Sequence, residues 1–211
     1  MPAAPIPTAA PPAPLPMVLA GSRTILRPYT AGFTEAELKR LHRWARDAEL
    51  ARLTSGVPLD VPYEEFKTLF EASPARLSAS RDALFAVLRA EGELIGRAGL
   101  FGVDAPNGTA ELGVVIGDRR AWNRGHGREV ADLLVRHAFA DLGRHTVTLR
   151  TYPDNTRARR AFEAAGFRMV AECRRFTLDR GLHTEVEMQI RREDGPACPA
   201  SIAVNERLSL A

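Results

Sequence analysis

The chain has 211 residues, of which 45% are hydrophobic and 26% are charged, as expected for one globular domain of ordinary size. The formal charge is only +3 and the arginines form no basic block with interleaved aromatic side chains, which excludes a nucleic-acid partner from the prediction. The two cysteines and five histidines are scattered without metal-ligand spacing, so we expect neither a metal site nor a disulfide framework.

The N-terminal segment has an unusual composition. Residues 1–20 contain no charged side chain and seven of the fifteen prolines, which predicts a Pro/Ala-rich disordered tail over residues 1–21. The segment lacks the basic start and the uninterrupted apolar core of a secretory signal, and no stretch predicts a membrane span. The sequence therefore predicts a cytoplasmic protein without a membrane partner. Met17 precedes the folded part, which motivates the hypothesis that translation begins there.

The predicted elements follow in chain order from residue 24. A strand is expected at 24–27, then a helix at 34–52 that opens with Thr34 and Glu37 as a capping box, and a short helix from Pro62 through Phe70. Alternating and apolar patterns predict the remaining strands at 84–89, 93–103, 109–117, 146–152, 167–178 and 183–191. Helices are expected after residue 127 and from 155 to 165, and the pattern fades beyond Glu193.

The stretch 117–142 reads as a strand end, a loop and a helix. Gly125 and Gly127 in the loop let the backbone turn sharply and expose consecutive N–H groups where a Cβ would crowd a ligand. A helix N-terminus adds unsatisfied donors and a partial positive charge. The stretch predicts a cradle for a pyrophosphate, and an ordinary strand-to-helix turn is the structural alternative.

A second block, residues 155–167, reads Asn-Thr-Arg-Ala-Arg-Arg-Ala-Phe-Glu-Ala-Ala-Gly-Phe. Together the two blocks resemble the acetyl-CoA-binding motifs of the GCN5-related N-acetyltransferases. Residues 23–28, Leu94-Ile-Gly96 and the ending from 167 to 190 look like the branch that acetylates ribosomal-protein N-termini and spermidine. The resemblance implies a single α/β domain over residues 22–191. Its sheet would be mixed and mostly antiparallel, with six or seven strands, splayed central strands and about four helices. Residues 192–211 would then form a mobile C-terminal tail.

The resemblance also implies acetyl-CoA as co-substrate. Its pyrophosphate would lie on Asn123, Arg124, Gly125, His126, Gly127 and Arg128. The pantetheine arm would lie along Val114, Val115 and Ile116, and an N–H near Val115 would polarise the thioester carbonyl. Trp122, where the family usually has glutamine or arginine, would either pack against the helix or contact the cofactor.

Three residues of the second block have implied roles with structural alternatives. Asn155 would bond the pantetheine arm, and otherwise it is a helix N-cap. Arg157 would reach the ribose phosphate, and otherwise it lies on a solvated helix face. Phe162 stands where many relatives have a tyrosine that protonates the leaving thiolate, so only cofactor contact is assigned to it.

Catalysis is assigned to Glu111 and Tyr152. Glu111 would take the proton of the acceptor ammonium, and its alternative is a cross-strand ion pair. The thiolate would leave unprotonated or take a proton from water or from a side chain such as Tyr152. The predicted function is acetyl transfer to a primary amine of a small molecule or a protein N-terminus, by direct attack in a ternary complex. The alternative is a non-catalytic acyl-CoA-binding regulatory module, and a homodimer is left open.

Overall fold

The computed structural model describes residues 17–54, 57–80, 82–103, 106–177 and 181–194. These residues form one open sheet with helices on both faces, which is the α/β class predicted from the sequence. The strands are β1 Leu19–Ala20, β2 Thr24–Pro28, β3 Ala83–Arg89, β4 Leu94–Phe101, β5 Thr109–Ile116, β6 Thr146–Thr151, β7 Arg168–Thr177 and β8 Gly181–Arg191. The helices are α1 Glu35–Ala45, α2 Ala48–Leu53, α3 Tyr63–Ser80, α4 His126–Ala140 and α5 Thr156–Ala164.

The strand order is β1-β2-β3-β4-β5-β6-β8-β7. Every neighbouring pair is antiparallel except β5 and β6, which run parallel. The parallel pair is where the chain crosses over through α4, as such a connection requires. The prediction of a mixed, mostly antiparallel sheet is thus confirmed.

Two hydrophobic clusters hold helices to the two faces of the sheet. On one face, α4 and α5 pack Val130, Leu134 and Phe162 against the strands. On the other face, α1 and α3 pack Leu38, Leu41 and Phe66 against β3 and the start of β4. Within the described ranges the second cluster contains no residue of β6, β8 or β7, and the polar side chains of Arg150, Glu185 and Glu187 lie on that face of these strands.

The observed elements differ from the predicted ones in three places. The sheet has eight strands within the described ranges rather than six or seven, because Leu19–Ala20 pairs with β2 inside the predicted tail. The predicted helix 34–52 is two helices, since the Asp47 carboxylate accepts hydrogen bonds from Glu49 N and Leu50 N and thereby starts α2. The helix predicted from residue 62 to 70 continues to residue 80.

The rest of the predicted tails, residues 1–16 and 195–211, lies outside the described residues, so those domain boundaries stay predictions. Within the described ranges, no helix combines the length and the apolar character that a membrane crossing needs.

Candidate active site

The central strands β5 and β6 separate after a short parallel ladder. Cα partners join Thr109–Glu111 to residues 146–148, and beyond Glu111 the two strands part, whereas β5 stays paired with β4 as far as Ile116. One edge of β5 is therefore open over residues 112–116. This separation confirms the splayed central strands predicted for the fold.

The hydrogen-bond pattern fixes which backbone groups face the open edge. Gly117 N donates a hydrogen bond to Ile95 O at 2.9 Å, so in the register between β4 and β5 the backbone groups of Gly117 point to β4. Because the backbone groups of successive residues alternate between the two edges of a strand, those of Val115 point to β4. Those of Val114 and Ile116 point to the open edge. The backbone donor predicted near Val115 stays a prediction, and the N–H groups beside Val115 that face the open edge are those of Val114 and Ile116.

A cavity of about 680 Å³ fills the gap between the separated strands. Its volume is within the range of small-molecule sites. The open edge of β5 forms one wall, α2 covers one side, and α5 and the loop before α4 close the other. Of the predicted site residues, it is lined by Glu111, Val114, Val115, Ile116, Asn123, Gly125, His126, Gly127, Arg128, Tyr152, Asn155, Arg157 and Phe162.

Arg124 is the predicted cofactor residue that does not line the cavity. Its side chain is exposed, and its carbonyl accepts a hydrogen bond from Arg23 Nη1 at 3.3 Å. The Arg23 guanidinium also lies next to Gly125, and no contact between Arg23 and this loop was predicted from the sequence. The structure therefore brings Arg23 to the cradle from the turn between β1 and β2, 101 residues before Arg124. Its only sequence signal was its membership of the motif at 23–28.

The loop before α4 has the backbone that an anion site needs. Gly125 is the N-cap of α4 at φ 82°, and Asn123 also has a positive φ of 59°. Residues 125–128 line the cavity, and the first N–H groups of a helix have no partner within it, so the start of α4 favours negative charge there. The loop is therefore suited to hold a pyrophosphate.

His126 begins α4 inside this loop and is 7% exposed. Its Nδ1 is buried and has no hydrogen-bond partner within the described residues. Burial lowers the pKa of His126, and Arg89 lowers it further, so the imidazole is neutral at pH 7.

Trp122 forms part of the cavity wall beside the cradle. Its Nε1 donates to Ile116 O at 2.7 Å, and the guanidinium of Arg157 stacks on its ring at 3.4 Å from the centroid. Trp122 thus packs against Arg157 of α5 and also lines the cavity, so its contact with the cofactor stays a prediction. Burial lowers the pKa of Arg157, whose side chain lies in the cavity wall rather than on a solvated helix face.

Asn155 and Phe162 line the cavity from α5. Asn155 Oδ1 caps the helix by accepting from Ala158 N at 3.2 Å, which leaves the Asn155 amide N–H groups as donors. Phe162 is 7% exposed and packs with its ring against Phe167, 6.0 Å between centroids. Phe162 therefore supplies an apolar surface without a proton donor.

The far end of the cavity holds ion pairs. Glu111 accepts from Arg150 Nε at 3.1 Å and from Arg150 Nη2 in a shorter bond, so the cross-strand ion pair is the observed state of Glu111. The hydrogen bonds that Arg150 donates to Glu111 raise the pKa of Arg150. Glu185 of β8 accepts from His183 Nε2 at 3.1 Å. Arg175 Nε lies 3.2 Å from the other Glu185 oxygen, without hydrogen-bond geometry.

Tyr152 tethers α2 to the end of β6. Its hydroxyl donates to Thr54 O at 2.9 Å, immediately after α2 ends. The phenolic proton is engaged in this bond in the structure, and the role of Tyr152 as an acid stays a prediction. Arg52 and Asp154 form an exposed ion pair between the same two segments.

No group of three or more His, Cys, Asp or Glu side chains within the described ranges is arranged to hold a metal ion. Cys173 is half-buried and makes no disulfide, and Cys198 lies outside the described residues.

The comparison with protein families agrees with this architecture. A family model described as an acetyltransferase (GNAT) domain matches residues 23–168. The chain belongs to the GNAT acetyltransferase family. The class and donor predicted from the sequence, an N-acetyltransferase that uses acetyl-CoA, are those of this family. The resemblance from which the fold was predicted is thus confirmed.

Known proteins resemble the chain at lower identity. An uncharacterized N-acetyltransferase p20 of Bacillus licheniformis is 26% identical over 102 residues, which are 48% of this chain and 57% of that protein. The chain therefore spans little more than half the length of this curated relative.

Solved structures share the fold. The spermidine N-acetyltransferase of Vibrio cholerae, in complex with CoA and spermine, has a TM-score of 0.69 at 19% identity, covering 82% of this chain and 98% of that one. An acetyltransferase of T. thermophilus has a TM-score of 0.68 at 24% identity, covering 86% and 92%.

Proposed function

We propose that the protein transfers an acetyl group from acetyl-CoA to a primary amine of a small molecule or a protein N-terminus. One observation carries this proposal. A single cavity joins an anion cradle at the start of α4 to a cluster of carboxylates and cations at the other end, through the gap between β5 and β6. Such a cavity can hold a phosphate-bearing donor and an amine acceptor together.

In the proposed complex, the pyrophosphate lies on the N–H groups of Gly125 to Arg128 and the pantetheine lies along Val114 and Ile116. Asn155 can donate an amide N–H to the pantetheine while its oxygen caps α5. Arg157 lines the cavity and Arg23 Nη1 bonds to Arg124 O of the cradle, so these guanidinium groups can meet the phosphates.

The chemistry is a direct attack. The amine nitrogen adds to the thioester carbonyl carbon, an N–H of Val114 or Ile116 stabilises the oxyanion, and the carbon–sulfur bond then breaks. One such donor contributes roughly 3 kcal/mol in comparable sites. Glu111 receives the ammonium proton, directly or through water, once its carboxylate is free of Arg150. Water takes the second proton of the attacking nitrogen and delivers a proton to the thiolate, which leaves beside apolar Phe162.

A second function is kept because of two observations. Phe162 has no proton to donate, and the Tyr152 hydroxyl is bonded to Thr54. Both suit a protein that binds an acyl-CoA and regulates a partner without transferring the acyl group.

One plate-based experiment tests both candidates. CoA release from acetyl-CoA is measured with polyamines, aminoglycosides, amino acids and short peptides, and the melting temperature is recorded with and without acetyl-CoA. Turnover with one class of amine supports the enzyme and names its acceptor. Stabilisation by acetyl-CoA without turnover favours the binding module. The absence of stabilisation contradicts the cradle itself.

A further inference from the structure

Arg150 stands between carboxylates on both neighbouring strands. It is directly opposite Glu187 of β8 in the antiparallel ladder. On the other side, Glu111 is the parallel partner of Thr148, two residues before Arg150. Since side chains two residues apart share a face of the sheet, Glu111, Arg150 and Glu187 all lie on the same face.

The two carboxylates differ in their present partners. Glu111 holds Arg150 through two hydrogen bonds. Glu187 is half-buried and makes no side-chain hydrogen bond or ion pair within the described part of the chain. Directly opposite residues of antiparallel strands have Cβ atoms about 5 Å apart, so the long arginine side chain can reach Glu187 by changing rotamer.

Glu185 is a poorer alternative for Arg150. Its carboxylate already has His183 at 3.1 Å and Arg175 at 3.2 Å. His183 Nδ1 also lies 3.0 Å from Gly181 O. Among the described carboxylates near Arg150, Glu187 thus forms no ion pair, and its charge already helps to raise the pKa of Arg150.

The two carboxylates that Arg150 can reach differ in their access to the cavity. Glu111 and Arg150 both line it, whereas Glu187 does not. A guanidinium on Glu111 covers that carboxylate, and a guanidinium on Glu187 would leave Glu111 open to the cavity. In either position the Arg150 guanidinium pairs with a carboxylate, so moving it from Glu111 to Glu187 would leave no isolated, partly buried charge.

We propose that Arg150 is an exchangeable counter-ion of Glu111. The acceptor ammonium replaces the guanidinium at Glu111, and Arg150 moves to Glu187. Arg150 is then a positioning residue that covers Glu111 until an amine arrives. This inference rests on the proposed amine acceptor, and it adds that Glu187, outside the cavity, sets how easily the amine enters.

Kinetics with the most active amine of the panel test this exchange. Glu187→Gln removes the alternative partner of Arg150, so the KM for the amine should rise about five-fold while kcat and the acetyl-CoA KM change little. Arg150→Gln should lower the amine KM, and Glu187→Gln should then have no further effect. Glu172→Gln, an exposed carboxylate on the other face of β7, is the matched control and should leave KM unchanged.

A second measurement does not depend on catalysis. In CoA-loaded protein, the NMR signal of the Arg150 Nε–H group is followed while n-butylamine or spermidine is added. The signal should move on amine binding, should need more amine in Glu187→Gln, and should stand near its end position from the start in Glu111→Gln.

The outcomes separate the two claims. Movement of the signal without turnover supports the exchange and contradicts the acetyl transfer. Turnover with an unmoved signal, or equal effects of Glu187→Gln with and without Arg150, would overturn the exchange and leave the acetyl transfer standing. Because Glu187 has no partner within the described residues, Glu187→Gln should fold normally, and its melting temperature checks this.

Discussion

At the scale of single residues, two glycines with positive φ allow the effect of backbone strain on stability to be distinguished from an effect on acetyl-CoA binding. Gly125 has φ 82° at the start of α4, and Gly143 has φ 66° in the loop after that helix. A Cβ at Gly143 would contact nothing, whereas one at Gly125 would meet the Arg23 guanidinium. Gly125 is thus tied to the cradle, and Gly143 provides its control.

Gly125→Ala and Gly143→Ala should each destabilise the fold by about 1–2 kcal/mol, because a left-handed backbone strains an L-residue. Only Gly125→Ala should weaken acetyl-CoA binding, by ten-fold or more, as measured by isothermal titration calorimetry. Equal loss of affinity in the two variants would contradict the placement of the pyrophosphate.

His126 predicts a pH dependence of stability at the same scale. Its folded-state pKa is lowered by burial, below the ordinary value of about 6.5. As the pH falls through about 6.5, His126 takes up a proton in the unfolded chain before it does so in the folded protein. The free energy of unfolding therefore decreases until the pH reaches the folded-state pKa of His126.

In acetyl-CoA-free protein, the melting temperature should therefore fall more steeply from pH 7.5 to 5.5 in the wild type than in His126→Phe. Differential scanning calorimetry at several pH values gives the two slopes. Identical slopes would show that the imidazole does not titrate differently on folding.

At the scale of elements, α2 is held across the end of the cavity by ties at both of its ends. Arg119 Nη2 donates to Asp47 at 2.8 Å before α2, and Tyr152 bonds Thr54 after it. These contacts position Leu50 and Leu53 in the cavity wall. The position of α2 over the acceptor end therefore depends on β6 and on the loop before α4.

Tyr152→Phe tests whether Tyr152 holds α2 in place or acts as a general acid. Loss of the bond to Thr54 should cost about 1 kcal/mol of unfolding free energy and lower kcat less than ten-fold. Asp154→Asn, which removes only the exposed ion pair with Arg52, should cost less stability. A fall in kcat of roughly 100-fold or more with Tyr152→Phe would instead identify a general acid.

Element prediction succeeded where the determinants were local. The capping box of Thr34 and Glu37 is present at the start of α1. The break between α1 and α2 was missed because the amphipathic pattern continues across it, while Asp47 can both cap a helix and sit on a helix surface. The strand Leu19–Ala20 was missed because two residues carry no periodicity, and its pairing with β2 defines it.

At the scale of the whole molecule, the fold and the cradle were predictable and the acceptor end was not. The glycine spacing and the second block marked the residues that line the proposed donor half of the site. The proposed acceptor half depends on contacts between distant segments, such as Glu111 with Arg150 and Tyr152 with Thr54. No sequence spacing encodes these pairs, since the first arises from the neighbouring strands β5 and β6 and the second from the packing of α2 over the end of β6.

The same limit applies to the backbone donor near Val115. Sequence placed residues 114–116 beside the pantetheine, but the choice among them depends on which edge of β5 each residue faces. The bond from Gly117 N to Ile95 O decides it, and that bond requires the register between β4 and β5.

The most direct test of the proposed site is a crystal structure of the protein with CoA. The account predicts pyrophosphate density on the N–H groups of Gly125 to Arg128, and a pantetheine arm bonded to the backbone of Val114 and Ile116 and not to that of Val115. A CoA molecule bound elsewhere, with the gap between β5 and β6 empty, would contradict the account.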